Sequence, residues 1–428
     1  MKAISTILFT LALSVASLVD VKKTNPTPYQ EDFDYFWQTI NDNYCYLDNK
    51  ETDWPAVKKL YQREADSVQT QEQFVQLLQR ALRELYDHHA TVAATTAASP
   101  RTVPEGADIW AEYYTGRPII TDVRRNHNAA RVGIKAGMEI IAVNDVPVEK
   151  AITNYLGKSL KKVNPEAINF ALRTLLAGNS LHPRKITVSY RNKTTTFYPD
   201  IPTSLIANIT GPEKIETIII NDIGYLKINN SLSDPDFIPA FDKSLDNLMQ
   251  TTGLILDLRE TPTDGNAAVV RALLGRFISE DHFYEGRESF AELKQTGIKR
   301  SWMEIVSPRE QCYAKPLVVL VNHWTGSLGE SITVALDGMK RATTLGTKLA
   351  RLNGANKTFR LPHSQIRFSI PVEKLYHING TPRSLYRPHI QIDYTKLSPR
   401  SGGDIMLEKA IGLLKGKNKD ADITAQTY

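Results

Sequence analysis

One serine of the sequence occupies a position from which it could act as a nucleophile. The apolar run Leu317–Val321 predicts a buried strand, and a helical pattern follows the turn Thr325-Gly326-Ser327. Ser327 therefore precedes a helix N-terminus, where backbone N–H groups favour negative charge. A serine that attacks a carbonyl needs such donors for the oxyanion that develops. An ordinary turn with an N-cap serine explains the same residues, and local pattern alone favours it.

A second strand-to-helix turn covers Leu256–Asn266. Loops of this kind can supply backbone N–H groups to a substrate. The alternative is a plain connection in which Asp257 and Arg259 form a structural pair. The local pattern favours that alternative.

Two adjacent histidines, His88 and His89, follow a helical pattern in the stretch Tyr86-Asp87-His88-His89-Ala90-Thr91. Neighbouring residues do not share a helix face, so this spacing argues against a metal site built on both. A single histidine is more often a hydrogen-bonded structural residue than a catalytic base. Both interpretations of His89 stay open on the local sequence.

The elements that would position these residues fall into three regions. Residues 27–95 have helical periodicity, including Trp54–Ala65 and Thr70–Tyr86, with Thr70 and Gln73 as a capping box. Residues 100–205 are richer in strand patterns, at Lys185–Tyr190 and Thr194–Tyr198. From residue 215 strands and helices alternate, which predicts an α/β domain with a largely buried sheet.

The α/β region has explicit predicted bounds. Its strands are Thr217–Ile220, Gly224–Ile228, Gly253–Leu258, Pro316–Val321 and Ala342–Leu345. Its helices are Phe237–Met249, Ala267–Phe277 and Gly329–Met339, followed by a β segment at Phe359–Pro371 and a closing helix at Asp404–Leu414.

The amino terminus predicts export. Lys2 is followed by an apolar run from Ile4 to Leu18, about 15 residues, and then by polar sequence. This pattern is typical of a secretory signal peptide, and the run is shorter than the roughly 20 residues that span a membrane. A single membrane anchor is the alternative. We expect a periplasmic or extracellular protein of a bacterial cell envelope, with no membrane span after maturation.

Composition narrows the classes of function. The 428 residues include 52 basic and 47 acidic side chains, a formal charge of +5 with no Lys/Arg block, which argues against nucleic acid as a partner. Two cysteines, Cys45 and Cys312, cannot build a disulfide framework. Composition and motifs imply neither a metal nor an organic cofactor.

These pieces occur in an order that resembles the tail-specific, or C-terminal-processing, serine peptidase family, which includes the tricorn core protease and the interphotoreceptor retinoid-binding proteins. The segments that carry the resemblance are Asp32–Asp48, Asp87-x-His89, Ala129–Asp145, Gly253–Arg259, Pro316–Glu330, Leu361-Pro362, Asn379-Gly380 and Arg387–Ile390. The resemblance covers nearly the whole chain after residue 25. It implies a polypeptide substrate.

The resemblance implies a role for individual residues. Ser327 matches the nucleophile, and the N–H of Leu328 with one from the Asp264–Gly265 turn matches the oxyanion hole. One branch of the family uses a lysine as general base. The position of that lysine corresponds to Leu352 here, and the nearest lysine is Lys348, so the lysine base is absent. The tricorn-like branch uses a histidine from the helical region, and His89 matches it.

Some positions depart from the family pattern. The family's glycine-rich loop is reduced to Thr261-Pro262-Thr263-Asp264-Gly265, where Pro262 lacks an N–H and Asp264 brings a carboxylate close to the predicted oxyanion. The closing Pro-Asp-Ile has become Pro388-His389-Ile390. The acid that orients the histidine has no clear match; Ser384 and Leu385 lie in that neighbourhood, and Asp87 is a candidate substitute.

The resemblance also implies an architecture. We expect an α/β fold with a crotonase-like (ClpP/crotonase) catalytic core, an N-terminal helical domain and a PDZ-like β domain that captures peptide by strand addition, or serves only as a spacer. The expected bounds are 1–19 for the signal peptide, 25–97 for the helical domain, 100–205 for the PDZ-like domain and 210–416 for the catalytic domain. The active site should lie where the helical region meets the core.

Three functions remain as alternatives. The first is an exported serine endopeptidase acting on extended or C-terminal polypeptide segments. The second is a catalytically impaired relative that binds peptides or an apolar ligand, as the reduced loop and the missing acid favour. The third is a carbohydrate-active enzyme, for which Asp257 and Glu330 would be the paired carboxylates. The oligomeric state is not predicted.

Overall fold

The computed structural model describes residues 26–200, 213–263, 265–396 and 403–416. The predicted signal peptide lies outside these residues. The helices are α1 (Pro28–Asn43), α2 (Trp54–Ala65), α3 (Gln71–Arg83), α4 (Asn128–Arg131), α5 (Val148–Ala151), α6 (Pro165–Ala177), α7 (Phe237–Asp246), α8 (Ala267–Leu274), α9 (Phe290–Thr296), α10 (Leu328–Gly338) and α11 (Ile405–Leu414). No helix in these ranges is long and apolar enough to cross a membrane.

The strands of the described residues form three sheets. The strands are β1 (Thr91–Val92), β2 (Ile109–Tyr114), β3 (Arg117–Val123), β4 (Glu139–Val143), β5 (Val146–Pro147), β6 (Ile186–Tyr190), β7 (Lys193–Phe197), β8 (Ile215–Ile220), β9 (Ile223–Asn229), β10 (Gly253–Glu260), β11 (His282–Ser289), β12 (Arg300–Val306), β13 (Leu317–Val321), β14 (Thr343–Gly346), β15 (Ala355–Arg360), β16 (Arg367–Tyr376) and β17 (Ile390–Gln391).

The core sheet has the order β17-β14-β13-β10-β9-β8 and is parallel except for β8, which pairs antiparallel with β9. All five residues of β13 are buried, because helices cover both faces of the sheet. Residues of α7, α8 and α10 join one apolar cluster with it, and Met406 and Ala410 of α11 join another. Since β10 and β13 are parallel neighbours, the turns that follow them lie at the same edge.

The outer sheet has the order β1-β16-β11-β12, with β15 paired to β16. It shares an apolar cluster with α1, α2 and α3, in which the ring of Phe36 lies 4.8 Å from that of Phe368. The middle sheet has the order β2-β3-β4-β6-β7, with β5 paired to β4, and packs against α5 and α6. The mixed α/β class with several sheets agrees with the prediction.

Most predicted elements are present, with differences at their ends. The capping box of Thr70 and Gln73 opens α3, as predicted, but the helix ends at Arg83 and not at Tyr86, whose φ is +36°. Residues 91–92 are a strand and not part of a helical region, since they pair with β16. The single β segment predicted at Phe359–Pro371 consists of β15 and β16 with a turn between them. The predicted domain bounds stay predictions.

Candidate active site

The turn between β13 and α10 is closed by the side chain of Thr325. Its Oγ1 accepts a hydrogen bond from the backbone N–H of Asn322 (3.0 Å) and donates one to the carbonyl of Leu258 in β10 (2.9 Å). The same threonine therefore closes the turn and ties it to the neighbouring strand. The next two residues, Gly326 and Ser327, lead into the helix.

Ser327 has a backbone conformation that an ordinary helix cap does not need. Its φ is +45° and its ψ is −107°, whereas N-cap residues normally have extended backbone. Its side chain makes no capping hydrogen bond to the described first turn of α10, and the residue is 6% exposed. The hydroxyl of Ser327 is thus not used as a helix cap. Non-glycine residues in such conformations are concentrated at functional sites.

The turn after β10 packs directly against the Ser327 turn. The N–H of Gly326 donates to the carbonyl of Thr261 (3.0 Å), and Thr261 pairs in parallel with Thr325. A Cβ on Gly326 would lie 2.9 Å from the carbonyl oxygen of Pro262, so the contact requires glycine. The two strand-to-helix turns that the sequence singled out therefore form one unit.

Gly265 and Leu328, the predicted oxyanion-hole residues, lie side by side. A Cβ on Gly265 would lie 2.9 Å from Cδ1 of Leu328 and 2.7 Å from the carbonyl oxygen of Leu232. Asp264, the third residue of this prediction, lies outside the described residues. The oxyanion role itself stays a prediction for all three residues.

His89 is buried, with 3% of its surface exposed, and its ring is held by a backbone carbonyl. Nδ1 lies 2.8 Å from the carbonyl oxygen of Asn353. A carbonyl can only accept a hydrogen bond, so the neutral ring carries its proton on Nδ1 and leaves Nε2 as the basic nitrogen. The catalytic role predicted for His89 is compatible with this tautomer.

The carboxylate of Asp87 contacts the backbone of His89. Its Oδ1 accepts the backbone N–H of His89 (2.9 Å), and its Oδ2 accepts the hydroxyl of Tyr44 (2.7 Å). The carboxylate of Asp87 fixes the backbone of the turn, while the Asn353 carbonyl orients the ring. The described contacts of Asp87 are thus with a backbone N–H and a tyrosine hydroxyl, and its role as the orienting acid stays a prediction.

His88 belongs to a different environment from His89. Its ring stacks on Phe170 with centroids 4.3 Å apart, and burial holds its pKa well below the usual range. Within the described ranges, no group of three or more His, Cys, Asp or Glu side chains could hold a metal.

Glu330 connects His89 to the helix that carries Ser327. It lies in the first turn of α10, and its Oε1 accepts the N–H of Leu352 at 2.9 Å. The next residue, Asn353, supplies the carbonyl that holds His89. His89 and Ser327, more than 200 positions apart in the sequence, are in this way attached to one short segment.

The residues before Ser327 contact the middle sheet, which the sequence analysis missed. The ring of His323 stacks on Trp110 with centroids 4.7 Å apart and planes at 4°. The indole N–H of Trp324 donates to the carbonyl of Ala107 at 2.7 Å. Burial lowers the pKa of His323 to about 3, so the ring is neutral. The adjacent aromatic side chains of His323 and Trp324, directly before the Thr-Gly-Ser turn, could have indicated this contact.

Lys348, the lysine nearest to the register of the family's lysine base, lies in an ion pair. Its Nζ is 3.3 Å from Oε2 of Glu112 in β2. Leu352, at that register itself, is buried and uses its backbone to contact Glu330.

Asp257 and Glu330, the paired carboxylates of the carbohydrate-enzyme alternative, each lie beside a different arginine side chain. The guanidinium of Arg259 donates to both carboxylate oxygens of Asp257 and also contacts Asp404. Burial opposes ionisation of Asp257, but Arg259 outweighs it and lowers the pKa of that carboxyl. Arg383 lies 3.5 Å from Glu330. Both acids have structural partners, which removes the observation behind that alternative.

A cavity of about 1240 Å³ lies between the middle sheet and the core sheet. Its lining includes Asp122, Arg131, Lys135, Tyr225 and Arg259, but neither Ser327 nor His89. It therefore lies apart from the two predicted catalytic residues.

Two family models match the sequence. Residues 26–83 match the Tricorn protease C1 domain, and residues 222–394 match Peptidase family S41. No curated protein matches the chain.

Several solved structures share the fold. Mature CPAF has a TM-score of 0.60 at 16% identity, covering 92% of this chain and 98% of its own. The photosystem II D1 C-terminal processing protease has a TM-score of 0.55 at 16% identity, with the same coverage of 92% and 98%. A lipoprotein from Streptococcus agalactiae has a TM-score of 0.51 at 12% identity, covering 92% and 98%.

At these identities the similarity to solved structures shows the fold alone. The similarity to a family rests on the two family models. The S41 match contains both strand-to-helix turns and Ser327, and the tricorn C1 match contains most of the helical region before His89. The resemblance to the tail-specific, C-terminal-processing serine peptidases that the sequence predicts is confirmed by these two matches.

Proposed function

We propose that the chain is an exported serine endopeptidase that cleaves extended or C-terminal polypeptide segments, with Ser327 as nucleophile and His89 as general base. The observation that carries the proposal is the backbone of Ser327. A non-glycine residue at φ +45°, at the N-terminus of a helix that its hydroxyl does not cap, costs stability. A nucleophile aimed away from its own helix accounts for that cost.

The proposed chemistry uses these residues and one water molecule. Oγ of Ser327 attacks the scissile carbonyl to form the acyl-enzyme, while Nε2 of His89 takes the hydroxyl proton and gives it to the leaving amine. Nε2 of His89 then deprotonates a water that attacks the acyl carbonyl, and Oγ leaves with that proton, which restores the free serine. The N–H groups of Leu328 and Gly265 stabilise the oxyanion between these steps.

Two further parts of the proposal concern architecture and location. The middle sheet is proposed to be the PDZ-like module, because β2 lies at its edge beside α6 and an edge strand can pair with an extended peptide. The core sheet is proposed to be the crotonase-like core. Export to the periplasm or the extracellular space is proposed from the amino-terminal sequence, since an apolar run follows Lys2.

A fluorophosphonate probe tests the serine without knowledge of the substrate. We expect the mature protein to be labelled, Ser327→Ala to lose all labelling, and His89→Ala to lose about 10²- to 10⁴-fold in rate. Ser180→Ala and His182→Ala, which alter an exposed serine and histidine in one loop, are matched controls and should label like the wild type.

The same experiment decides between enzyme and binding protein. A folded wild type that the probe does not label would contradict the peptidase proposal. The impaired, ligand-binding alternative would then be favoured by the cavity of about 1240 Å³, and peptides and apolar ligands would be tested for binding by calorimetry.

A further inference from the structure

A backbone group takes part in orienting the ring of His89. The carbonyl of Asn353 accepts from Nδ1, so any displacement of residues 352–354 displaces the imidazole. A side-chain carboxylate can adjust by rotating, whereas a backbone carbonyl moves only with its chain. Contacts that hold residues 352–354 in place therefore also affect the position of the His89 imidazole.

The segment is held from both ends. On one side, Leu352 donates its N–H to Oε1 of Glu330 (2.9 Å), and its carbonyl accepts from Nη2 of Arg383 (2.5 Å). On the other side, Gly354 has a φ of +79° and lies against β16, where a Cβ would be 2.7 Å from the Cβ of Pro371. The peptide groups around Asn353 have little freedom to move.

Glu330 and Arg383 are themselves part of a buried network. Arg383 donates to Oγ of Ser331 (2.8 Å), which donates to Oε2 of Glu285 (2.9 Å). Nε of Arg383 lies 3.5 Å from Oε2 of Glu330, a charge contact without hydrogen-bond geometry. Arg287 lies 3.0 Å from Glu285. The carboxylate of Glu330 is thus fixed in direction before it contacts Leu352.

Glu330 also belongs to the element that carries the nucleophile. Ser327 and Glu330 are three residues apart, at the cap and in the first turn of α10, so they lie on one face of it. The charge of Glu330 reaches His89 as well. Burial raises the pKa of Glu330, while Arg383 and the hydrogen bond from Leu352 oppose that rise, and the field of His89 opposes it too.

We propose that Glu330 is a positioning residue, which orients His89 through the backbone of Leu352 and Asn353. The inference rests on the proposed function. It gives Glu330 two effects: a hydrogen bond that places the segment, and a negative charge that stabilises the imidazolium after proton transfer. The two effects can be separated by substitution.

Two variants separate them. Glu330→Gln keeps an oxygen that can accept the N–H of Leu352 and removes the charge, and Glu330→Ala removes both. We expect the alanine variant to lose about 10²-fold in the rate of fluorophosphonate labelling, and the glutamine variant to lose less. The control is Glu84→Gln, since Glu84 is an equally buried carboxylate that accepts the N–H groups of Lys158 and Ser159 away from the site.

The pH profile distinguishes positioning from simple structural support. Losing the charge makes the imidazolium less stable, so the acidic limb of the labelling rate should move to lower pH in Glu330→Gln. The charged groups that face Glu330 are Arg383, from the turn Arg383–Leu385, and His89; Glu285 of β11 acts through Arg383. An unchanged acidic limb together with an unchanged rate in Glu330→Ala would overturn the proposal.

A second measurement keeps the inference separate from the peptidase proposal. In protein labelled with ¹⁵N-histidine, the wild type should show His89 protonated on Nδ1, and Glu330→Ala should reduce that preference. This holds whether or not the protein hydrolyses peptides. If the probe does not label the wild type but Glu330→Ala shows the expected NMR change, the peptidase proposal alone is contradicted. If the probe labels the wild type but Glu330→Ala shows no NMR change, the role of Glu330 alone is contradicted.

Discussion

At the scale of single residues, the site combines an unusual serine backbone with a histidine held by an ordinary carbonyl. The serine could be predicted, because a Thr-Gly-Ser turn between a buried strand and a helix can be read from the sequence. The partner of the histidine could not, since the carbonyl of Asn353 belongs to the backbone and leaves no mark on residue type.

The strain at Ser327 makes a stability prediction. Glycine adopts positive φ at little cost, so Ser327→Gly should raise the free energy of unfolding by about 1 kcal/mol, whereas Ser327→Ala keeps the unfavourable backbone and should change it little. Urea unfolding of the three proteins measures this. If the glycine variant were less stable than the alanine variant, the backbone of Ser327 would not be strained.

Gly265 makes a second prediction at this scale. A Cβ there would come within 2.7 Å of the Leu232 carbonyl oxygen and 2.9 Å of Leu328, so the chain must move. We expect Gly265→Ala to lose about 1–3 kcal/mol of unfolding free energy and to slow fluorophosphonate labelling.

The two readouts should be taken together. Labelling measured at a temperature where the variant is fully folded separates the local shift from global unfolding. A rate equal to that of the wild type would place the oxyanion hole elsewhere.

At the scale of elements, the parallel pair β10 and β13 was predicted to within two residues at each end, since β13 is a continuous apolar run and β10 begins with the apolar run Leu254–Leu256. The pair β11 and β12 was missed. In β12, Trp302 alternates with charged and exposed neighbours, and the strand lies at a sheet edge with one face in solvent. Short amphipathic edge strands give a weak periodic signal, so tertiary pairing decided their structure.

The contact between the Ser327 turn and the middle sheet leads to a prediction about Trp324. Trp324→Phe would leave the Ala107 carbonyl without the indole N–H that it now accepts at 2.7 Å. Loss of a partner from a buried carbonyl costs about 1–3 kcal/mol of unfolding free energy. Trp302→Phe is the matched control, because its indole N–H contacts Glu304 in a half-exposed site and should cost less. Equal losses in denaturant titrations would argue against a buried hydrogen bond at Trp324.

At the scale of the whole molecule, the fold class could be predicted because strand and helix patterns alternate after residue 215. The arrangement of the three sheets could not. The contacts that join them include pairs from distant parts of the chain, such as Lys348 with Glu112 and His323 with Trp110. No local periodicity encodes such pairs, and each side chain has an equally ordinary interpretation as a surface or core residue.

His323 at this contact predicts how stability depends on pH. Its pKa is lowered to about 3 by burial, against about 6.5 in an unfolded chain, so the unfolded state binds the extra proton between these values. Its contribution to stability is complete above pH 6.5 and decreases as the pH falls toward 3, by at most about 1.4 kcal/mol per pH unit.

His323→Phe keeps the stack on Trp110 and removes the titration. Its free energy of unfolding should fall less steeply than that of the wild type between pH 6.5 and 4, measured by urea titration at several pH values. His88→Phe is the comparison, because burial lowers the pKa of His88 too and that variant should also have a shallower slope. Parallel curves for His323→Phe and the wild type would mean that His323 is protonated in the fold.

Trp324 lies three residues before Ser327, and its ring centroid is 6.3 Å from that of Trp110 across the contact between the two sheets. The chain has five tryptophans, so substituting the other three with phenylalanine would leave a protein whose tryptophan emission comes from this contact. A ligand that alters the Ser327 turn would change the intensity or wavelength of that emission before any bond is broken. The packing of one indole thus gives an optical signal for binding that is independent of hydrolysis.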